Sequence, residues 1–142
     1  MLMFSEPEVR YLKSQRLARI ATVSGKGQPD LVPVGFEFDG KHFWIGSHSQ
    51  EVFFRTRKYK NVKNGRKKVA LVVDDLLTVN PWHPRFVRVY GTAEVMDHNG
   101  TFGPGKYLRV TPLISWSGGM EGLSLKQGVW WLRTVHEPDQ RQ

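Results

Sequence analysis

The 142-residue sequence contains no cysteine, which excludes a disulfide framework and any chemistry that needs a thiolate. It also contains no run of the roughly 20 apolar residues that a membrane span requires. The first residues show no basic segment followed by an apolar core of about 7–15 residues, so we predict no secretory signal. These absences predict a soluble protein without a membrane partner, and the expected location is the cytoplasm.

Recognisable catalytic motifs are scarce as well. The five histidines are scattered, and none forms a pair at i, i+4 or joins an acidic residue at metal-ligand spacing. Asp74 and Asp75 end an apolar run, a position typical of turn chemistry. No serine lies in a nucleophile-elbow context. We therefore predict no metal site and no acid–base or covalent catalytic residue.

One glycine-rich segment imitates a phosphate-binding P-loop. Residues 100–106 have the glycine and lysine spacing of that motif, but Tyr107 replaces the small hydroxyl residue that would hold magnesium. Pro104 also removes one backbone amide from the cradle. We predict a loop over residues 97–105 and favour a hairpin over a P-loop.

Basic residues, in contrast, are abundant and unevenly distributed. The net charge is +8, and residues 50–70 carry +7 of it, because this segment holds only one acidic residue, Glu51. Such a segment is either a solvated surface or the binding site of an anion, such as a nucleic acid or a phosphorylated ligand. No nucleic-acid-binding signature is present, so a compact cluster beside a strand favours a phosphate.

The periodicity of the sequence predicts one mainly β domain over residues 1–142. A helix begins at Ser5 with a capping box and ends near Leu17. A second, basic helix covers residues 50–64, with Val52, Tyr59 and Val62 on one face. The predicted strands are Leu17–Val23, Leu31–Phe38, His42–Gly46, Val69–Val73 (apolar enough for burial on both faces), Phe86–Val95, Tyr107–Trp116 and Val129–Val135. Antiparallel strands without a βαβ rhythm predict a small closed or partly closed barrel.

Four segments, in this order and spacing, carry a resemblance to a known family. They are RLARIATVSGKGQPDLVPVGFEFDG, KYKNVKNGRKKVALVVDD, VNPWHPRFVRVYGTAEV and LRVTPLISWS. Together they resemble the pyridoxamine-phosphate-oxidase-like split β-barrel flavoproteins, and most closely the PPOX-class oxidoreductases that use the deazaflavin coenzyme F420. The resemblance covers residues 14–117. It implies a six-stranded split β-barrel with one or two short helices.

The resemblance also implies where a cofactor would bind. It implies a homodimer with two cofactor sites at the interface, each drawing on both chains. Residues beside the deazaflavin ring would be Leu31, Val32, Pro33 and Val34. Residues that grip the phosphate would be Arg57, Lys58, Lys60 and Asn61, with Arg55 as a further candidate. From the loop that reaches toward the partner's cofactor, Trp82 and Arg85 would contribute either to the site or to dimer packing.

The predicted function is therefore hydride transfer between coenzyme F420 and a small conjugated or unsaturated substrate. Seven excess charges exceed what one phosphate needs, and the acidic glutamate tail of F420 would use more of them than FMN would. The alternatives are an FMN-dependent oxidoreductase of the same fold and a non-catalytic carrier of a flavin or tetrapyrrole. The sequence departs from the family pattern at Asp30, where many relatives carry a histidine.

Overall fold

A computed structural model of the chain describes residues 3–120 and 133–136. Three helices are present in these residues: α1 (Glu6–Ser14), α2 (Gln50–Arg55) and α3 (Arg57–Lys63). The strands are β1 (Leu17–Val23), β2 (Pro29–Phe38), β3 (Phe43–Ile45), β4 (Lys68–Thr78), β5 (His83–Gly100), β6 (Gly103–Gly118) and β7 (Arg133–His136).

Six of the strands close into a barrel. The sheet order is β3-β2-β1-β4-β5-β6-β7, all neighbours are antiparallel, and β3 also pairs with β6. This last pairing joins the first and sixth strands of the order, leaves β7 at the edge beside β6, and confirms the predicted six-stranded split barrel. The first part of β2 pairs with β1 alone, because β3 pairs only with Phe36–Phe38.

The barrel interior is filled by alternate residues of every strand, as the period of two requires. Ile20, Leu71, Val89 and Leu108 are fully or almost fully buried in one continuous apolar cluster. Each such side chain contributes about 1.5–3 kcal/mol of hydrophobic stabilisation. The other residues of each strand point outward, and they form the outer surface of the barrel.

Helix α1 closes one end of the barrel and begins as predicted. Ser5 and Glu8 form the capping box, since the Ser5 amide donates to Glu8 Oε1 at 2.8 Å and the Glu8 amide donates to Ser5 Oγ at 3.3 Å. The Glu8 side chain is buried and also accepts from the Ser117 hydroxyl on β6. The cap therefore fixes the helix to the barrel as well as starting it.

The single basic helix of the sequence prediction is wrong, because the structure divides it into α2 and α3. Thr56 is extended, with φ −74° and ψ 151°, and its hydroxyl accepts from the Tyr59 amide as the N-cap of α3. The break changes which residues of this segment face the core. Val52 is 52% exposed and Phe53 is buried in its place, whereas the predicted burial of Tyr59 and Val62 is confirmed.

Two strand predictions also need correction. The loop predicted over residues 97–105 is mostly strand: β5 continues to Gly100 and β6 starts at Gly103, so the favoured hairpin is confirmed with a shorter turn. The run Val69–Val73 was predicted to be buried on both faces, but its outward residues Ala70 and Val72 are only partly covered. Of the predicted strand 129–135, residues 129–132 lie outside the described residues.

Candidate functional site

The candidate site is a slot on the outer face of the barrel, and strand register creates it. Leu31 on β2 pairs with Ala21 on β1, and Ala21 pairs with Ala70 on β4. Ala70 in turn pairs with Tyr90 on β5, which pairs with Ile114 on β6. Two small side chains thus lie in the middle of a row whose other members are large. The result is a shallow groove in which the two small side chains form the floor and the large side chains form the edges.

This floor belongs to an open cavity of about 380 Å³. Its lining is almost wholly apolar or small, and the charged exception is Lys68 at the start of β4. The lining residues are Ala21, Val23, Lys68, Val69, Ala70, Tyr90, Gly91, Thr92, Leu113 and Ile114. An apolar, flat-floored cavity of this size suits a planar ring system, and its volume lies within the usual range of ligand pockets.

The basic cluster, which we define as Arg55, Arg57, Lys58 and Lys60, lies near the end of β1, where helix α3 docks. The Asn61 side-chain amide donates to Thr22 Oγ1 at 2.9 Å. Thr22 is fully buried, so this contact lies on the side of β1 opposite to the outward-facing Ala21. The cation at the slot itself is Lys68, which also lines an adjoining cavity with Arg66 and Lys67. Asn61 is therefore committed to fixing α3.

Asp30 is the acidic residue that faces the basic cluster. It pairs in register with Thr22, directly before Leu31, and its Oδ1 lies 4.0 Å from Nη1 of Arg57. The Arg57 side chain is 83% exposed, so this contact is a weak solvent-screened ion pair. Arg57 is free to turn toward a stronger anion at little cost.

Lys58 is the most buried cation of the cluster. Burial lowers the pKa of its ammonium below the ordinary 10.5, and the nearby Asp30 carboxylate only partly opposes that shift. A buried, incompletely neutralised ammonium gains from any anion that approaches it. Of the other two, Arg55 contacts Glu51 at 3.4 Å in an exposed pair, and Lys60 has no ion-pair partner among residues 3–120 and 133–136.

The four predicted ring-contacting residues on β2 point in alternate directions. Leu31 and Pro33 face outward, and Leu31 is 69% exposed, while Val32 and Val34 pack toward the core. A ring on the outer face would meet the side chains of Leu31 and Pro33 and only the backbone of Val32 and Val34. Whether these residues bind a cofactor stays a prediction.

Arg85 and Trp82 occupy different settings on the hairpin between β4 and β5. Arg85 forms a two-pronged ion pair with Asp75, with Nε–Oδ1 3.0 Å and Nη2–Oδ2 2.6 Å, and its guanidinium lies 5.0 Å from the centre of the Tyr11 ring. Arg85 thus has a strong partner in its own chain. Trp82 is 59% exposed near the hairpin tip. The site role proposed for both from sequence stays a prediction.

The sequence reasoning did not identify Ala21, Ala70 and Tyr90 as site residues. Their role follows from cross-strand register, and no motif marks it. The signal that was available is the outward alternation of small residues on β1 and β4, opposite the aromatic Tyr90.

The described part of the chain offers neither a cluster of metal ligands nor a helix that could span a membrane. In residues 3–120 and 133–136, no group of three or more histidine or acidic side chains could hold a metal ion. The helices found there are all too short to cross a bilayer.

Comparisons with known proteins agree with this architecture. The family profile described as pyridoxamine 5'-phosphate oxidase matches residues 5–109. A 5a,11a-dehydrotetracycline/5a,11a-dehydrooxytetracycline reductase from Streptomyces rimosus is 36% identical over 133 residues, which is 89% of each chain.

Solved structures agree as well. A candidate pyridoxamine 5'-phosphate oxidase from Lactobacillus delbrueckii has a TM-score of 0.58 at 25% identity, over 81% of this chain and 94% of that one. A structure named F420 reductase also has a TM-score of 0.58, at 19% identity, over 79% of this chain and 98% of that one. The profile match, the bacterial reductase and the closed six-stranded barrel lead to one assignment: this chain belongs to the pyridoxamine 5'-phosphate oxidase family of split-barrel oxidoreductases.

Proposed function

We propose that the protein is an F420-dependent oxidoreductase that transfers a hydride between the deazaflavin and a small conjugated or unsaturated substrate. The observation that carries this proposal is the alanine-floored slot with cations at its edge. Val23 and Lys68 line both the slot and an adjoining cavity, whose other lining residues are Gly65, Arg66 and Lys67. A ligand with a flat ring at one end and several anionic groups at the other matches both parts.

The slot fits a deazaflavin ring for steric reasons. Ala21 and Ala70 project only one methyl group each, so a planar ring can lie close to the sheet between Leu31 and Tyr90. Any larger side chain at either alanine would occupy the space of the ring. Leu31 and Tyr90, which are 69% and 48% exposed, would be covered by the same ligand.

The number of cations favours F420 over FMN. One phosphate is satisfied by two or three charge-assisted hydrogen bonds, which Arg57, Lys58 and Lys60 can supply. The chain continues with Lys63, Arg66, Lys67 and Lys68, which FMN would leave without an anionic partner. The additional carboxylates of the F420 tail would relieve that repulsion.

The reaction requires little from the side chains themselves. When bound, the deazaflavin supplies the hydride-transferring carbon. The alanine floor and the side chains of Leu113 and Tyr90 would orient the ring and exclude water from it. The cluster on α3 would hold the phosphate and fix the position of the ring along the sheet. The proton-carrying groups in the lining are Tyr90, Thr92 and Lys68. We assign none of them as a general acid or base.

The curated relative suggests the class of substrate. Its name describes the reduction of 5a,11a-dehydrotetracyclines, which are polycyclic compounds with a carbon–carbon double bond at the named positions. At 36% identity over most of both chains, we propose that the substrate here is likewise planar and conjugated, with an activated double bond. FMN is the alternative cofactor, because its flat ring would occupy the same slot.

We further propose that the active species is a homodimer with a cofactor site at each end of the interface. The support is the outer face itself. Leu17, Leu31 and Tyr90 are 50%, 69% and 48% exposed on neighbouring strands, which is unusual for a surface that faces water. A second copy would cover them and close the slot over the ring.

The first experiment is a parallel titration of the purified protein with oxidised F420 and with FMN, followed by ligand fluorescence. We expect F420 to bind at micromolar or lower concentration and FMN much more weakly. The reverse preference would assign the protein to the FMN alternative. Binding without turnover of any conjugated acceptor would favour the carrier alternative.

A double substitution tests the basic cluster. Lys58→Ala combined with Lys60→Ala should weaken F420 binding by about 2–4 kcal/mol, because each lost charge-assisted bond contributes roughly 1.5–2 kcal/mol. The control is Arg10→Ala combined with Lys41→Ala, which removes the same charge from exposed positions that line neither the slot nor the basic cluster. Unchanged affinity in the first variant, or an equal loss in the control, would remove the cluster from the site.

A further inference from the structure

A second cavity, of about 390 Å³, opens on the same outer face as the slot but further along β2. It is bounded by the end of α1 and the turn into β1, by β2 from Gly35 to Phe38, by His48 and by the tip of the β5–β6 hairpin. None of its lining residues lines the slot. Leu31 is the register partner of Ala21 at the edge of the slot, and Gly35 faces outward four residues further along β2, so the facing edges of the two regions are separated by about 13 Å.

The hairpin tip that covers this cavity is held against the barrel by glycines. A Cβ on Gly35 would lie 2.8 Å from the Phe102 ring, and one on Gly46 would lie 3.1 Å from it. Only glycine therefore lets the ring lie so close to β2 and the end of β3. The His48 ring packs against the edge of Phe102 at 5.2 Å. The cavity has a fixed aromatic wall.

The only carboxylate that lines the cavity, Glu37, is already satisfied. Its Oε1 accepts from the Thr101 amide at 3.2 Å and lies 3.1 Å from Nε2 of His98, and its Oε2 accepts from the Thr101 hydroxyl at 3.3 Å. Glu37 is committed to holding the hairpin tip. Its negative charge is largely compensated there.

The cations of the cavity have no such partners. Lys13 and Arg16 are exposed at its mouth, and neither forms an ion pair with any residue in 3–120 or 133–136. The cavity therefore combines an aromatic wall, an apolar base and an uncompensated positive rim. That combination selects a flat apolar ligand with an anionic group at one end.

We propose that this cavity is a substrate subsite that binds the anionic end, a carboxylate or a phenolate, of a planar substrate. The proposal rests on the proposed function, since the other end of the substrate would reach along β2 to the ring in the slot. The distance between the two regions sets the size: two fused rings are too short to span it, and an elongated system of several linearly fused rings is needed. Phe102 stacks on or packs against the ring system, and Arg16 and Lys13 pair with the charge.

The test uses binding to the full chain in the absence of any cofactor. The probes are 2-naphthoate and its neutral isostere 2-naphthamide, titrated by naphthalene fluorescence. We expect the anion to bind about fivefold more tightly, since exposed charge pairs contribute up to about 1 kcal/mol. Arg16→Gln should remove most of that preference and leave naphthamide binding unchanged. Lys41→Gln, an exposed cation on the β2–β3 turn, should behave like the wild type.

Location is tested by amide chemical shifts, where naphthoate should perturb Gly35 and Thr101 and leave Ala70 unchanged. The proposal is overturned if naphthoate fails to bind at millimolar concentration, if both probes bind equally, or if Arg16→Gln has no effect on the preference. Failure of the cofactor assignment can be told apart from failure of the anion subsite. Loss of F420 binding with retained naphthoate preference would overturn the proposed function and leave the anion site standing, because no cofactor enters this measurement.

Discussion

Two alanines set the shape of the slot. Ala21 and Ala70 are ordinary in strands, and neither would be singled out in a sequence. Their importance comes from being direct cross-strand neighbours, flanked by Leu31 and Tyr90 in the same row. A surface groove on a sheet needs small residues at adjacent positions on neighbouring strands, since one small residue alone is filled by its neighbours.

The substitution Ala70→Leu tests whether Ala70 forms the floor of the slot. The larger side chain would stand where the ring is proposed to lie, and overpacking of this kind costs about 1–3 kcal/mol. We expect F420 affinity to fall by that amount while the melting temperature changes little, because Ala70 faces away from the core. The matched control is Val72→Leu, two residues further on the same face and outside the slot lining. Equal losses in both variants would contradict the assignment.

The phosphate contact assigned to Lys58 follows from the family resemblance and stays a prediction, and the structure adds that burial lowers the pKa of its ammonium. Ala21 and Ala70 were missed because register depends on how strands separated by 49 residues pair. Val34, chosen from family position, points into the core, since the alternation along β2 had not been assigned to its faces.

Among the elements, helix α1 and the β4–β5 hairpin are joined by one polar contact group. Asp75 accepts from Tyr11 Oη at 2.9 Å and from the Arg85 guanidinium, and Tyr11 also donates to the Arg85 carbonyl at 3.1 Å. Burial and the Asp75 carboxylate raise the pKa of the Tyr11 phenol, which stays protonated. The group ties the base of the hairpin to the helix.

Asp75→Asn should destabilise the protein by about 1–2 kcal/mol at neutral pH, the lower part of the range for hydrogen bonds to charged groups, because the pair is partly exposed. The Arg85 guanidinium, more than the Tyr11 hydroxyl, holds the pKa of Asp75 below its ordinary 3.8. The stabilisation is therefore present above pH 3.8 and is lost as the pH falls through the lower folded-state value. Urea unfolding across that range should show the wild type and the variant converging.

The control for this experiment is Asp97→Asn. Asp97 lies 2.9 Å from the Lys106 ammonium, but its side chain is 81% exposed, so we expect its loss to change stability by less than about 0.5 kcal/mol. A similar effect of both substitutions, or a difference for Asp75→Asn that persists below the lowered folded-state pKa of Asp75, would show that the contact group does not stabilise the fold as described.

Local signals predicted most elements because the signals acted within a few residues. The bounds of β1 are those predicted, and the predicted Ser5 capping box is present. The break at Thr56 was missed although its hydroxyl caps α3, because the basic run on both sides reads as one continuous helix. Strands β5 and β6 are longer than predicted. They pair with each other up to their shared turn, and this pairing overrides the effect of the glycines near that turn.

For the molecule as a whole, charge and apolar surface are separated along β4. The basic residues 57–68 lead into the start of this strand. Its far end, in the hairpin between β4 and β5, carries a cluster of exposed apolar side chains that we call the β4–β5 tip: Leu76, Leu77, Val79 and Trp82. Eleven strand residues place the two regions about 35 Å apart. Exposed apolar clusters of this kind mark surfaces that another protein covers, and the tip would be buried by the second copy of the proposed homodimer.

Leu77→Lys combined with Val79→Lys tests that assembly. Two charges at the tip would have to be desolvated in an interface, so we expect the variant to be monomeric at concentrations where the wild type sediments as a dimer. F420 binding should fall with it, although the slot and the basic cluster of each protomer are unchanged, because the proposed sites draw on both chains. Val52→Lys, at an apolar residue 52% exposed on α2, controls for added charge and should sediment like the wild type. A variant that stays dimeric would exclude the tip from the interface, and a monomeric variant with full F420 affinity would show that one chain suffices to build the site.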